Sequence, residues 1–497
     1  MSEANKVFKG AFFLFSGKMI QRSFGLVSTL ILARVLVPDD FGLVAIAHLV
    51  ISFVAKSMES GSGQYLIQKN LVNDNDINTS WTINIILKLV IFVLLLIATP
   101  FVADYYSDER LMLVVPILAS MIIAGMFENP YMAILRRNQE YVIPFKIGII
   151  QKVTSTIITV TTALIFQSYW ALILGHLVSN VIGTICSYIF MIYRPKFSLV
   201  GAKQQWGFSK WMLAKGMLGY TRAQLDTFLV SSFYSPSMLG GFHISKYISS
   251  MPGSEGLSPA LEPLLATFSR TINDKEAIRH QVSLVLLVVF AIGVPLSCFL
   301  YVFSEPFVLL LLGEQWIDFA PVFGILTLLT VPVAIGKVAT QIITSTGKVR
   351  FLFMYDFYSL ILMAATLFYF ASSSLETFSA TRVLVEFFTI SVLFVFATHK
   401  IFGSLLLNIL FLFCSYSAAS LSLAFLSESF FVDNVPYFFS LGIVFLVYSI
   451  FSIFLCWLFF ILFLRNNKAA HHVVFILKGG KDKFVEKAQL IIKGFGA

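Results

Sequence analysis

Apolar residues recur along this chain in long runs that short polar clusters interrupt. A helix needs about 20 apolar residues to cross a bilayer. Fourteen runs approach or exceed that length: 10–37, 41–66, 80–103, 111–135, 141–166, 169–193, 208–233, 237–269, 281–304, 317–345, 351–371, 377–398, 402–427 and 435–464. Strands are not expected, because the stretch from Leu87 to Pro100 lacks the alternation of a membrane barrel. The pattern predicts an all-α polytopic membrane protein with about 14 transmembrane helices.

Composition supports this class. The 497 residues have a mean hydropathy of +0.86, and only 12% are charged, against about 25% in soluble proteins. A net charge of +9 would suggest a nucleic-acid partner in a soluble protein. Membrane proteins, however, collect Lys and Arg in cytoplasmic loops, so no nucleic acid is expected here. The four cysteines lie inside apolar runs without close pairing, so neither a disulfide framework nor a metal site is predicted.

Loop charges predict the orientation. With the N-terminus inside, one side receives the basic residues Lys69, Arg136, Arg137, Arg194, Lys196, Lys203, Arg270, Lys275, Arg279, Lys348, Arg350, Lys400 and Arg465. The other side receives the acidic residues Asp39, Asp40, Asp104, Asp108, Glu109, Glu314, Asp318, Glu428 and Asp433. By the positive-inside rule the basic side is cytoplasmic. We therefore expect a multi-pass protein of the inner (cytoplasmic) membrane with both termini in the cytoplasm.

Two helix-start landmarks repeat along the chain. Pro38 and Gly42 recur as Pro236 and Gly240, at an offset of 198 residues. The matched topology predicts two six-helix lobes related by a pseudo-twofold axis, a transporter architecture with a substrate path between lobes. The expected divisions are an N-lobe at 1–197, a C-lobe at 198–400, two extra helices at 401–465 and a basic cytoplasmic tail at 466–497.

Ionisable residues inside predicted spans are costly and therefore mark candidate functional sites. Five are basic: Lys18, Arg22, Lys215, Arg222 and Lys246. Lys18 and Arg22 lie four residues apart, on one helix face. Excess positive charge in a water-filled vestibule between the lobes would bind an anionic cargo, because ammonium and guanidinium groups bind phosphate oxygens strongly. These five residues are the predicted substrate site.

Four acidic residues are candidates for binding the coupling proton or sodium ion: Glu59, Asp226, Glu255 and Glu262. Simpler interpretations stay open. Glu59 with Lys56, and Asp226 with Arg222, could form local ion pairs, and the proline-rich segment around Pro259 could be a kink. His176 and His243 are read as lone core histidines. The chain has no GxxxxGK[ST] nucleotide loop and no catalytic triad, so we expect no cofactor and no enzyme activity.

Three segments carry a family resemblance. LARVLVPDDFGLVAI at 32–46, GSGQYLIQK at 61–69 and LLLGEQWIDFAPV at 310–322 resemble the Wzx-type polysaccharide flippases of the multidrug, oligosaccharidyl-lipid and polysaccharide exporter superfamily. The resemblance is closest to colanic-acid and teichuronic-type exporters. It implies ion-coupled movement of an undecaprenyl-pyrophosphate-linked repeat unit from the cytoplasmic to the periplasmic leaflet by alternating access, for surface polysaccharide. Membrane lipids, a polymerase and export machinery are the implied partners.

Three other functions compete with this one. A drug/cation antiporter of the same superfamily would favour acidic groups in its cavity, whereas the candidate cavity groups here are mainly basic. A membrane glycosyltransferase, polymerase or ligase would need a large outer loop or an acidic active site. A membrane scaffold would not need cations buried in its spans.

Cysteine labelling tests the orientation. A membrane-impermeant thiol reagent applied from outside should reach cysteines placed at Asp108 and Trp316 and should miss those placed at Arg137 and Lys348, because these loops are expected on opposite faces. The reverse pattern would contradict the predicted topology.

Overall fold

The chain is described from a computed structural model. The described residues are 3–57, 61–69, 71–138, 140–257, 274–346, 348–403, 405–429 and 437–466, with isolated positions at 261, 264, 268 and 271. Ten helices make up the first half: α1 (Glu3–Val35), α2 (Pro38–Ser57), α3 (Ser62–Gln68), α4 (Asp74–Tyr106), α5 (Leu111–Met126), α6 (Tyr131–Arg137), α7 (Val142–Phe166), α8 (Trp170–Ile189), α9 (Ala202–Phe233) and α10 (Pro236–Met251).

The second half continues with a π-helical turn at Pro252–Leu257 and a 3₁₀ turn at Glu314–Phe319. Its α-helices are α11 (Lys275–Val302), α12 (Ser304–Leu311), α13 (Ala320–Thr327), α14 (Thr330–Ser345), α15 (Val349–Tyr369), α16 (Leu375–Phe402), α17 (Leu405–Glu428) and α18 (Tyr437–Asn466). No strand occurs in the described ranges. The predicted all-α class is confirmed.

Each predicted apolar run overlaps one helix or several consecutive helical segments in the described part of the chain. Within the described ranges, ten helices are long and apolar enough to cross a membrane, or eleven when the bent α5–α6 pair counts as one span. The exact number of fourteen spans stays a prediction. The single helix predicted over 41–66 is wrong, because α2 ends at Ser57 and the separate short helix α3 begins at Ser62. Gly61 precedes α3 with a φ of 62°, a left-handed conformation that suits glycine.

The chain divides into two compact units. The first comprises Met1–Ile244, Leu311–Trp316 and Leu367–Ser372, and the second comprises Ser245–Leu310, Ile317–Thr366 and Ser373–Ala497. Inside the first, α7 packs on α8 and α1, α4 on α5, and α9 on α2. Inside the second, α14 packs on α16, and α11 on α17. Helix α9 thus contacts the helices that precede it, and the predicted lobe boundary at 197/198 stays a prediction.

The repeated landmarks meet in the first unit. A Cβ atom added to Gly42 would lie 1.8 Å from the carbonyl oxygen of Pro236, and one added to Gly240 would lie 1.8 Å from the carbonyl oxygen of Pro38. Each copy of the Pro-x-x-x-Gly motif therefore receives the backbone of the other. This reciprocal contact is the geometry expected of a duplicated element around a local twofold axis. Only glycine permits such a close backbone approach.

The end of α1 is capped from a distant segment. The last four carbonyl groups of a helix have no partner inside it. The Trp316 indole Nε1 donates to the carbonyl of Ala33 at 2.6 Å, and Gln315 Nε2 donates to that of Leu36 at 2.9 Å. Trp316 is fully buried and packs edge-on against Phe41 at 5.4 Å. A cysteine there is shielded from labelling, so Glu109, which is exposed, is the better outer probe.

An ion-pair cluster joins the α4–α5 turn to the start of α2. The Arg110 guanidinium contacts carboxylate oxygens of Asp108 and Asp39, each at 2.7 Å. Its hydrogen bonds to Asp108 lower the pKa of that carboxyl below its ordinary value, against the opposing effect of burial. The Asp108 carboxylate therefore keeps its charge, and its bonds to Arg110, into mildly acidic solution.

The glycine contact predicts a sharp mutational effect. Gly42→Ala or Gly240→Ala should destabilise the protein by at least about 2 kcal/mol, because the new methyl group meets a backbone carbonyl that cannot rotate away. Gly219→Ala is the matched control, since nothing lies within 4 Å of its added Cβ. That change should be neutral or stabilising by up to about 1 kcal/mol. The measurement is the melting temperature of the purified protein in detergent. Equal melting temperatures in all three variants would refute the contact.

Candidate functional site

A polar cavity of about 460 Å³ lies inside the first unit, among α2, α3, α4, α5, α6 and α8. Apolar side chains such as Leu87, Ile91, Met121 and Ile122 form part of its wall. Its charged and amide-bearing residues are Lys56, Gln64, Asn84, Lys88, Glu128, Asn129, Arg136 and Asn180. A polar cavity among apolar membrane-length helices is a candidate ligand site by position alone.

The break between α5 and α6 forms one wall of the cavity. The two helices meet at 66°, where Pro130 lacks the N–H that a continuous helix would use. Asn129 compensates: its Oδ1 accepts from the N–H of Tyr131 at 3.1 Å, and its Nδ2 donates to the Tyr193 carbonyl at 2.8 Å. Irregular backbone at membrane depth is tolerated only when it is buried in protein or lines a cavity. The α5–α6 break meets that condition.

Lys88 lies near the middle of α4, one of the helices long and apolar enough to cross a membrane. It is half-buried and lines the cavity. Its Nζ donates to the carbonyl of Gly125 at 2.9 Å, one of the groups freed where α5 ends. Lys88 is not among the site residues predicted from the sequence. The available signal was a single lysine inside the apolar stretch from Ile85 to Ile91.

Several cavity groups have capacity for a ligand. Glu128, Arg136 and Gln64 are exposed, and Asn84 is half-buried. Within the described part of the chain, the side chains of these four residues make no hydrogen bond or ion pair. Together they offer cationic donors, amide donors and acceptors, and one carboxylate acceptor.

A link between the end of α6 and the end of α3 lies beside the cavity, whose lining includes Leu66 and Arg136. Arg137 Nη1 donates to the carbonyls of Leu66 and Lys69, at 2.9 Å for Leu66. Lys69 in turn bonds the Asp76 carboxylate at 2.6 Å, and this bond raises the pKa of Lys69. Asp76 also completes the capping box of α4 with Asn73. These bonds therefore tie α3 to the start of α4, the helix that also carries Asn84 and Lys88.

The predicted substrate residues lie on three helices. Lys18 and Arg22 are exposed, one turn apart on α1, and the neighbouring positions Gly17 and Gln21 pack on α7. Arg222 is half-buried on α9. Lys246 is half-buried on α10, at a position in the second unit, and the side chain of Lys215 is outside the described residues.

Asp226 is the one predicted coupling residue whose side chain is described. It is 2% exposed on α9. Its Oδ1 accepts hydrogen bonds from the backbone N–H of Thr227 at 2.7 Å and from the Thr227 hydroxyl at 3.3 Å. Glu59 and Glu262 lie outside the described residues, as does the side chain of Glu255. A carboxyl group buried in a membrane helix is a site where a proton or cation can bind.

The interpretation of His176 as a lone core histidine is wrong. Its ring on α8 lies against that of His48 on α2, with centroids 4.5 Å apart. The two residues are far apart in sequence, so no local pattern joins them. Among the described residues, no group of three or more His, Cys, Asp or Glu side chains is placed to hold a metal ion.

The family match and the similar curated proteins all concern the biosynthesis of polysaccharides. Residues 31–321, more than half of the chain, match the family described as polysaccharide biosynthesis protein. The Escherichia coli lipopolysaccharide biosynthesis protein WzxC is 24% identical over 72% of this chain and 73% of its own length. The Bacillus subtilis teichuronic acid biosynthesis protein TuaB is 22% identical over 63% of this chain and 65% of its own.

Solved structures share the fold. The lipid II flippase MurJ in an inward closed conformation superposes with a TM-score of 0.71, covering 91% of this chain and 99% of MurJ at 13% identity. An inward-facing multidrug transporter of the MATE family and MOP superfamily gives a TM-score of 0.61, covering 79% and 98% of the two chains at 12% identity. At these identities the likeness establishes the architecture.

Proposed function

Since the chain belongs to the polysaccharide biosynthesis protein family, we propose that it is a flippase for a lipid-linked oligosaccharide. It is a polytopic transporter and not an enzyme. The cargo is an undecaprenyl-pyrophosphate-linked repeat unit, moved from the cytoplasmic to the periplasmic leaflet by alternating access. The observation that carries the proposal is the set of cations on long helices of this fold: Lys18 and Arg22 on α1, Lys88 on α4 and Arg222 on α9.

The cations offset the main free-energy cost of flipping, which is the removal of the charged pyrophosphate from water. The polyprenyl tail of the cargo can remain in the bilayer, but its pyrophosphate loses water as it enters the protein and needs opposite charge. Lys18 and Arg22 are accessible and one helical turn apart, which suits two adjacent phosphoryl groups. The planar guanidinium group of Arg22 can also bond two phosphate oxygens at once. With Lys215, Arg222 and Lys246 they form the proposed pyrophosphate site in an inward-facing vestibule.

Ion coupling is assigned to acidic residues. Asp226 supports this by its burial in α9, because an ionisable group is costly inside a membrane helix and marks a candidate ion site. Glu59, Glu255 and Glu262 are the further candidates. Loading from outside and release inside would return the empty transporter to its inward-facing state, so cargo and ion would move in opposite directions.

The proposed membrane, orientation and partners rest on the charges of the loops and on the family. We place the protein in the inner membrane with both termini in the cytoplasm, where its basic loops meet anionic lipid. The proposed partners, besides membrane lipids, are a polysaccharide polymerase and export machinery on the periplasmic side.

The Lys18→Glu, Arg22→Glu, Lys215→Glu triple variant tests the pyrophosphate site. We expect export to fall at least about 10-fold, with lipid-linked units accumulating in the cytoplasmic leaflet, because charge-assisted bonds become repulsions. Arg22→Lys should lose less, since it keeps the charge. The measurement is surface polysaccharide and lipid-linked intermediate per amount of membrane-inserted protein. Lys196→Glu, an exposed position in the α8–α9 connector, is the control. Export at the normal rate in the triple variant would refute the site.

Asp226→Asn tests coupling. The amide cannot take up a proton, so flipping in proteoliposomes should stop responding to an imposed ion gradient, while cargo binding persists. Asp104→Asn, at an exposed position near the end of α4, should behave as the unmodified protein. The same assay on Glu59→Gln, Glu255→Gln and Glu262→Gln completes the set. Normal gradient dependence in all four variants would place coupling elsewhere.

A further inference from the structure

We propose that Lys152 and His176 form a second binding site for the diphosphate group of the cargo, halfway along the membrane-length helices. The inference rests on the proposed function, which supplies an anionic cargo, and adds a binding step to its path. Both residues belong to the first unit, Lys152 on α7 and His176 on α8. Neither is part of the proposed pyrophosphate site on α1, α9 and α10. These two residues are the mid-span site.

Lys152 is a cation near the centre of a membrane-length helix. It is the eleventh of the 25 residues of α7, which is long and apolar enough to cross a membrane. At a rise of about 1.5 Å per residue, it lies about 15 Å from the start of the helix and further from its end. A lysine side chain cannot reach the headgroup region from there. An ammonium group at this depth is costly unless it faces water or an anion.

No counter-charge acts on this ammonium group. The Lys152 side chain is half-buried, and within the described part of the chain it makes no hydrogen bond, ion pair or ring contact. His176, which is exposed, lies within reach of its electric field. No carboxylate of the described residues acts on either side chain. An anion bound here would therefore be the first negative charge beside Lys152.

The packing of α7 on α8 holds the two side chains near one level. Gln151, which precedes Lys152, donates from Nε2 to the carbonyl of Ser179 at 3.1 Å, and His176 lies three residues before Ser179 on α8. The ring of His48 on α2 packs against the His176 ring. Its Nε2 atom is buried and has no hydrogen-bond partner among the described residues. A buried polar atom without a partner costs free energy, and it points to a ligand or water in this region.

The mid-span site lies beyond the exposed cations of α1. Helix α7 packs on α1, and two pairs of residues meet there, Gly17 with Phe145 and Gln21 with Gly148. The helices therefore run parallel, and Lys152 lies level with position 25 of α1, about one turn beyond Arg22. With the N-terminus in the cytoplasm, as proposed, a diphosphate bound at Lys18 and Arg22 would meet the mid-span site next.

The chemistry of the mid-span site suits phosphoryl oxygens. The Lys152 ammonium group has three donors, and a neutral imidazole has one. Hydrogen bonds from a cation to a phosphate are roughly twice as strong as those between neutral groups. The diphosphate would therefore keep a counter-charge after it leaves α1, at a depth where an unpaired charge is costly.

Nitrogen NMR of the full-length, histidine-labelled protein in nanodiscs of neutral lipid tests the site. We expect undecaprenyl pyrophosphate in the nanodisc to shift the ring signals of His176, which His176→Gln identifies. Lys152→Met should raise the concentration that gives half of the shift at least about 10-fold, because a charge-assisted contact is lost. Lys152→Arg keeps the charge and should lose less. Lys196→Met, at an exposed position in the α8–α9 connector, should leave the response unchanged.

Inorganic pyrophosphate separates the cargo from a free anion. If it shifts the His176 signals while undecaprenyl pyrophosphate does not, the site takes a free anion and the proposal is overturned. Absence of a shift with both probes, or the same response in Lys152→Met as in the unmodified protein, would overturn it as well. His399, exposed on α16, is the internal control, and an equal shift of its signals would show a non-specific effect and refute the site. Melting temperatures check the folding of each variant.

The two proposals fail in different ways. If His176 does not respond but the triple variant of Lys18, Arg22 and Lys215 still loses export, the flippase proposal stands and the mid-span site falls. If His176 responds in a way that depends on Lys152 while the triple variant exports normally, the mid-span site stands and the proposed pyrophosphate site falls.

Discussion

The packing of the first unit depends on one backbone contact, the reciprocal approach of Gly42 to Pro236 and of Gly240 to Pro38. Lipid chains are as apolar as leucine, so burying apolar surface does little to hold membrane helices together. Close backbone packing at small residues supplies the attraction instead. The contact brings the starts of α2 and α10 together at equivalent positions of the repeated motif. The helices that carry the candidate cations extend from this region.

The second constraint is the cost of polar groups away from water. Where α5 stops, the freed carbonyl of Gly125 receives Lys88, and the backbone around Asn129 bonds Tyr131 and Tyr193. The break is thus satisfied, and it opens a wall of the polar cavity. A continuous α5 would have closed this space and left the ammonium of Lys88 without its carbonyl partner. The interruption of the helix between α5 and α6 therefore creates the candidate site.

In the proposed flippase, Lys18 and Arg22 on α1 and Arg222 on α9 are assigned to the pyrophosphate of the cargo. The exposed pair on α1 lies one helical turn apart, and Arg222 is half-buried. The polar cavity is separate from these positions and is held by links of its own, Arg137 to Leu66 and Lys69 to Asp76.

The sequence alone determined the class, the positions of the apolar helices and the repeat, because hydrophobic length and helix-starting prolines are local properties. The family also followed, since its motifs are contiguous segments. Tertiary structure decided which polar groups meet. Lys88 on α4 bonds the carbonyl of Gly125 near the end of α5, His48 meets His176, and Trp316 caps α1, all through residues distant in sequence. Hydrophobicity reports whether a residue costs energy in lipid, and only the packed helices determine which partner removes that cost.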